Sequence, residues 1–110
     1  MTPTPRKYAP APRKADRNHA EFMAALQAAG YSPDDCSKFG AGHPDIVAWT
    51  KTATVRFAVY IEVKPPGDED RLTPAEAAWW DAHEIILGDV FSDVQAALDY
   101  LERCDRWARI

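Results

Sequence analysis

Two cysteines and three histidines in 110 residues leave little from which to build a thiolate or imidazole metal centre. Cys36 and Cys104 stand far apart, with no second Cys or His at ligand spacing beside either, so neither a disulfide scaffold nor a zinc site is expected. They read as reduced thiols in a cytoplasmic protein. No apolar run approaches the roughly 20 residues of a membrane span, so no membrane-crossing helix is expected. The opening Met1-Thr2-Pro3-Thr4-Pro5 leads into basic residues with no apolar stretch behind them, which argues against a secretory leader. Internal repeats are lacking, and the length suits one core rather than two.

Four Trp and eight other aromatics point to a packed globule instead of a disordered chain. The net charge of −4 is unevenly spread. Residues 1–19 carry Arg6, Lys7, Arg13, Lys14 and Arg17 against Asp16 alone, or +4, and the remainder carries −8. A basic arm could grip a polyanion or serve only as a solubilising leader. The acidic body does not suit a protein that holds nucleic acid by charge alone, because phosphate neutralisation needs Lys and Arg.

Residues 1–15 hold Pro3, Pro5, Pro10 and Pro12 without periodicity and read as a flexible arm, followed by one domain over 16–110. Phe22, Leu26 and Ala29 recur at helical spacing, predicting a helix from about Asn18 that Gly30 ends. A short strand is expected over Cys36–Phe39, then a strand over Pro44–Thr50. The stretch Val55–Lys64 alternates: Val55, Phe57, Val59, Ile61 and Val63 face one way, and Arg56, Ala58, Tyr60, Glu62 and Lys64 the other. Thr73-Pro74-Ala75-Glu76 opens a helix with capping-box spacing, and Ser92-Asp93-Val94-Gln95 has the same spacing before the last helix. A strand falls within Ile85–Phe91 between them. The order predicts an α/β fold with a mixed sheet.

Glu62 and Lys64 share one face at the end of the alternating strand, and Pro65-Pro66-Gly67 stops that strand at once. Asp45 opens the preceding strand behind Gly42-His43-Pro44. If the two strands form a hairpin, Asp45 lies beside Glu62. Two carboxylates at one spot are costly without a cation between them. Mg²⁺ favours oxygen ligands and retained waters, so Asp45, Glu62 and a backbone carbonyl suit it. The pattern therefore points to metal-assisted phosphodiester hydrolysis, with Lys64 orienting or helping to deprotonate the attacking water, or offsetting phosphate charge. Alone, an acid two residues before a lysine is common, and a solvated salt bridge at a strand end has the same spacing.

Gly42-His43-Pro44-Asp45-Ile46-Val47, Tyr60-Ile61-Glu62-Val63-Lys64 and Leu72-Thr73-Pro74-Ala75-Glu76-Ala77-Ala78-Trp79, with Asn18-His19-Ala20-Glu21 upstream, are more specific in combination. In that order they resemble the VRR-NUC branch of the PD-(D/E)xK nuclease superfamily, over roughly residues 16–101. The resemblance implies a restriction-endonuclease-like core, a mixed sheet flanked by helices. It implies Mg²⁺- or Mn²⁺-dependent cleavage of DNA, with cutting of Holliday junctions or other branched DNA found within the branch. By matching position, Asp45 and Glu62 would bind metal with the Val63 backbone, Lys64 would be the catalytic lysine, and Glu21 the first-helix acid that completes the site. Many small members are phage-encoded, which suits a bacterial or phage-infected cytoplasm. Glu76 departs from the pattern, which places Gln there; it could bind metal, repel phosphate or cap its helix. Glu21 likewise sits at capping-box spacing from Asn18. His43, Glu76 and Lys38 are candidate substrate contacts, and Trp79 and Trp80 could pack or offer a ring to a base.

The expectation is thus a DNA endonuclease, homodimeric because a junction needs two symmetric nicks, with Trp107 and Ile110 as candidate interface residues. A non-catalytic DNA-binding or assembly module keeping the fold is the alternative. A sequence-specific restriction-type enzyme is disfavoured, since no groove-reaching element is evident.

Overall fold

The computed structural model describes residues 14–51 and 55–108. Among the described residues three helices and four strands follow in the order α1 (Lys14–Ala28), β1 (Asp34–Asp35), β2 (Ile46–Trp49), β3 (Ala58–Val63), α2 (Pro74–Ala82), β4 (Leu87–Phe91) and α3 (Val94–Ala108). The sheet runs β1-β2-β3-β4. Its first two pairings are antiparallel and β3 with β4 is parallel. A parallel neighbour cannot be reached by a tight turn, so α2 forms the crossover. The result is the expected α/β fold with a mixed sheet, consistent with a restriction-endonuclease-like core.

Strand periodicity sorts the two faces. Val59, Ile61 and Val63 of β3 join Ile46 and Ala48 of β2 in one buried cluster with Phe22 and Leu26 of α1 and Ala97, Leu101 and Cys104 of α3. Phe22, Ile61 and Leu101 are fully buried, and burying side chains of this size is worth about 1.5–3 kcal/mol each. The opposite face carries Tyr60, against which Trp79 of α2 packs at 5.2 Å between ring centroids. Both α1 and α3 therefore seal the core side, while α2 covers only part of the other. That leaves the far end of the second face for chemistry.

Several boundaries differ from expectation for local reasons. Helix α1 begins at Lys14, so Asn18 lies a turn inside it and does not cap it. Lys14 and Ala15 thus belong to a helix, and residues 1–13 of the expected arm lie outside the described residues. The first strand is Asp34–Asp35 and not Cys36–Phe39, because the Asp35 carboxylate accepts from Ser37 N and Oγ and turns the chain there. Strand β3 starts at Ala58, three residues late, although Thr50 still pairs with Phe57 by backbone and side chain. The sequence places the hairpin turn between these strands at Lys51-Thr52-Ala53-Thr54, and 52–54 lie outside the described residues. Asp93, not Ser92, caps α3 by accepting from Ala96 N at 3.0 Å; the Ser92 hydroxyl is spent on Glu69.

Candidate active site

The register of β2 on β3 places the two carboxylates. Ile46 pairs with Ile61, Val47 with Tyr60, Ala48 with Val59 and Trp49 with Ala58. Continuing that antiparallel register by one residue sets Asp45 directly opposite Glu62. Cross-strand partners share a face, so both acids lie on the α2 side at the same end of the sheet. Asp45 Oδ2 accepts from Val63 N at 3.0 Å, which ties its carboxylate to β3. The hairpin geometry expected for these two residues is present.

Glu62 is 2% exposed, and among the described residues its buried Oε1 has no hydrogen-bond partner. Burial and then the neighbouring Asp45 charge push its carboxyl from an ordinary 4.5 up to about 9, with Glu76 adding to the rise and Lys64 opposing it. A strand would not bury an orphaned acid on packing grounds. An oxygen-seeking cation beside Asp45 and Glu62 would offset that cost. Lys64 lies two residues on, with Nζ 4.0 Å from Glu62 Oε2 and 2.8 Å from Glu76 Oε1. Burial alone would lower the Lys64 pKa, but the Glu76 hydrogen bond and the charges of Glu76, Glu62 and Asp45 hold it above the ordinary lysine value. The lysine is therefore a cation at neutral pH.

Glu76 does two jobs at once. Its Oε1 accepts from Thr73 N at 2.8 Å and Thr73 Oγ1 accepts from Glu76 N at 3.1 Å, completing the capping box of α2. The same oxygen receives the Lys64 ammonium. Burial works to raise the Glu76 carboxyl, yet the Lys64 and Thr73 hydrogen bonds win and lower it.

The glycine loop explains how α2 reaches this far. Gly40, Ala41 and Gly42 all have positive φ, at 71°, 54° and 77°. A Cβ on Gly42 would lie 2.1 Å from the Ala75 carbonyl oxygen, so only glycine lets the loop touch the first turn of α2. Immediately after it, His43 Nδ1 lies 2.8 Å from the Pro44 carbonyl oxygen.

Of the candidate residues, the structure brings together Asp45, Glu62, Lys64, Glu76 and the Val63 amide. Glu21 is exposed on α1 and has no hydrogen bond or ion pair to the others among the described residues. Asn18, one turn earlier, donates from Nδ2 to the Lys64 carbonyl at 3.0 Å. Its role went unseen in the sequence because the capping-box spacing offered a local use for it. Lys38 is exposed on the turn before the glycine loop. Among the described residues no group of three His, Cys, Asp or Glu side chains is placed to hold an ion by itself. Two carboxylates with a backbone group and waters remain the donor set, which fits the hydration habit of Mg²⁺ or Mn²⁺.

A family profile described as the VRR-NUC domain matches residues 8–84. Comparisons with curated proteins and with solved structures gave no match.

Proposed function

Since the chain belongs to the VRR-NUC family, within the PD-(D/E)xK nuclease superfamily, we propose that it is an endodeoxyribonuclease dependent on Mg²⁺ or Mn²⁺. The observation that carries this reading is the pairing of Asp45 with Glu62, whose buried Oε1 has no hydrogen-bond partner among the described residues, at the open end of β2 and β3. Asp45, Glu62 and the Val63 backbone would hold the ion, and Glu21 would be the first-helix acid that completes the site. When bound, such an ion lowers the pKa of a coordinated water and offsets charge on the scissile phosphate. Lys64, held protonated by its acidic neighbours, orients the attacking water and balances charge that develops on the phosphate. It serves as a cation more readily than as a base.

Glu76 anchors the Lys64 ammonium, so the carboxylate that replaces the family's usual Gln acts through the lysine. The substrate in this proposal is DNA, branched forms included, in a bacterial or phage-infected cell. Two symmetric nicks would need a homodimer. Exposed Ile85 and Trp107, at the end of the sheet away from the carboxylates, support self-association there; Ile110 lies outside the described residues.

The test is metal-dependent nicking of supercoiled plasmid by the wild type, Lys64→Ala and Asp45→Asn, with Mg²⁺ affinity followed by calorimetry. Wild-type nicking, its loss in Lys64→Ala, and weakened ion binding in Asp45→Asn are expected. A Lys64→Ala protein that cuts normally would remove the mechanism. The Lys64–Glu76 ion pair favours one other reading, a DNA-binding module without catalysis, in which wild-type protein shifts DNA in a gel but leaves it uncut with either ion.

A further inference from the structure

We propose that Phe39 and Lys38, on the turn before the glycine loop, form a capture site for an unpaired nucleotide next to the carboxylates. Phe39 stacks on the base, and Lys38 meets its phosphate. The inference rests on the nuclease reading and names the part of the DNA this site grips.

Phe39 is 67% exposed, although phenylalanine is more often buried. Its backbone is nonetheless well placed. Phe39 N bonds to the Cys36 carbonyl at 3.0 Å, Cys36 N bonds to the Asp45 carbonyl at 2.7 Å, and His43 N bonds to the Gly40 carbonyl at 3.1 Å. The ring is thus presented on a built loop. Behind it lies a continuous series of rings. Phe39 meets His43 at 4.9 Å between centroids, His43 meets Trp79 at 5.3 Å, and Trp79 stacks on His83 at 4.0 Å and 14°. Tyr60, one residue pair along β3 from Glu62 on the same face, lies beneath His43 and Trp79. His43 is two residues from Asp45, so this series begins beside the proposed cutting centre.

Charge says why stacking is needed. Outside the first 19 residues the chain carries a net −8, and Lys64 at the centre is already paired with Glu76 and Glu62. Phosphate neutralisation therefore supplies little affinity at this end of the sheet. Aromatic stacking on bases does not depend on charge and accepts any base. A base within continuous duplex has both faces covered by its neighbours, so an exposed ring selects single-stranded, frayed or branch-point nucleotides.

The experiment measures binding of a 2-aminopurine-labelled single strand and a blunt duplex across a salt series in EDTA, using the full chain. Phe39→Ala and Phe39→Leu should weaken single-strand binding by roughly 5- to 150-fold, abolish the 2-aminopurine quench, and leave the salt slope unchanged. Phe39→Trp should restore both affinity and quench. Lys38→Ala should lower the slope by about 0.7, the value for one lost single-strand phosphate contact. Thermal melts confirm folding, which an exposed side chain should not disturb. Wild-type affinity in Phe39→Leu, or a slope that falls with Phe39, overturns the stacking assignment. If plasmid is cut but Phe39 variants bind normally, only this inference fails. If Phe39 matters to binding but wild-type protein cuts nothing, the nuclease reading fails instead.

Discussion

In the absence of divalent ions, raising the pH from 5 to 8 should destabilise this protein. Glu62 is raised from 4.5 to about 9 in the folded chain, so between those values the folded state binds a proton that the unfolded state has released. Stability then falls as pH rises through that window, at up to about 1.4 kcal/mol per pH unit. The ceiling is about 4 kcal/mol between pH 5 and 8, a large share of the 5–15 kcal/mol typical of a domain. Water entering beside the ionised group would lower the observed value. Other raised groups leave this window clear: Lys64, Tyr31, Tyr100, Cys36 and Cys104 start from ordinary values of 9 or above. The lowered Asp35, Glu69 and Glu76 lose their contribution only in acid, below their ordinary range. Urea unfolding in EDTA at pH 5, 6.5 and 8 measures the slope, with Glu62→Gln as the control that should flatten it. Saturating Mn²⁺ should reverse it, because the ion favours the ionised carboxylate. A wild-type protein equally stable, or more stable, at pH 8 in EDTA would refute the placement of Glu62.

Gly42→Ala should displace the loop from α2, since its Cβ would sit 2.1 Å from the Ala75 oxygen at φ +77°; a loss of about 2 kcal/mol or more in urea unfolding, with reduced cutting, is expected. Asp105, 4% exposed, accepts from Tyr31 Oη at 2.9 Å and Lys51 N at 2.6 Å. Asp105→Ala leaves two donors unpaired and should cost about 2–4 kcal/mol, read by the same titration, while Tyr31→Phe should cost less.

The common face of Glu62 and Lys64 was legible because a strand's two-residue period leaves no other choice once Val59, Ile61 and Val63 claim the core. Asp45 opposite Glu62 followed from assuming a hairpin, and the α2 capping box followed from Thr73 and Glu76 alone. What escaped the sequence depends on contacts between distant segments. Asn18 and Ser92 sat at capping spacing, yet each spends its side chain on a residue more than twenty positions away. Asp35 turned a strand into a bend by a side-chain bond that β-propensity does not register. The second duty of Glu76 needed Lys64 to arrive from another element. Phe39 looked like a strand residue until the loop around it was placed.

The grip of Asp105 on Tyr31 and Lys51 also bears on where this domain can be cut or grafted. The family match stops at residue 84, before β4 and α3, yet Phe91, Ala97 and Leu101 from those elements close the core. A fragment trimmed to the recognisable motif would keep every catalytic candidate and lose one wall of the molecule. Grafts onto other proteins should therefore carry the chain through Ala108, for the segment that identifies the family is shorter than the unit that folds.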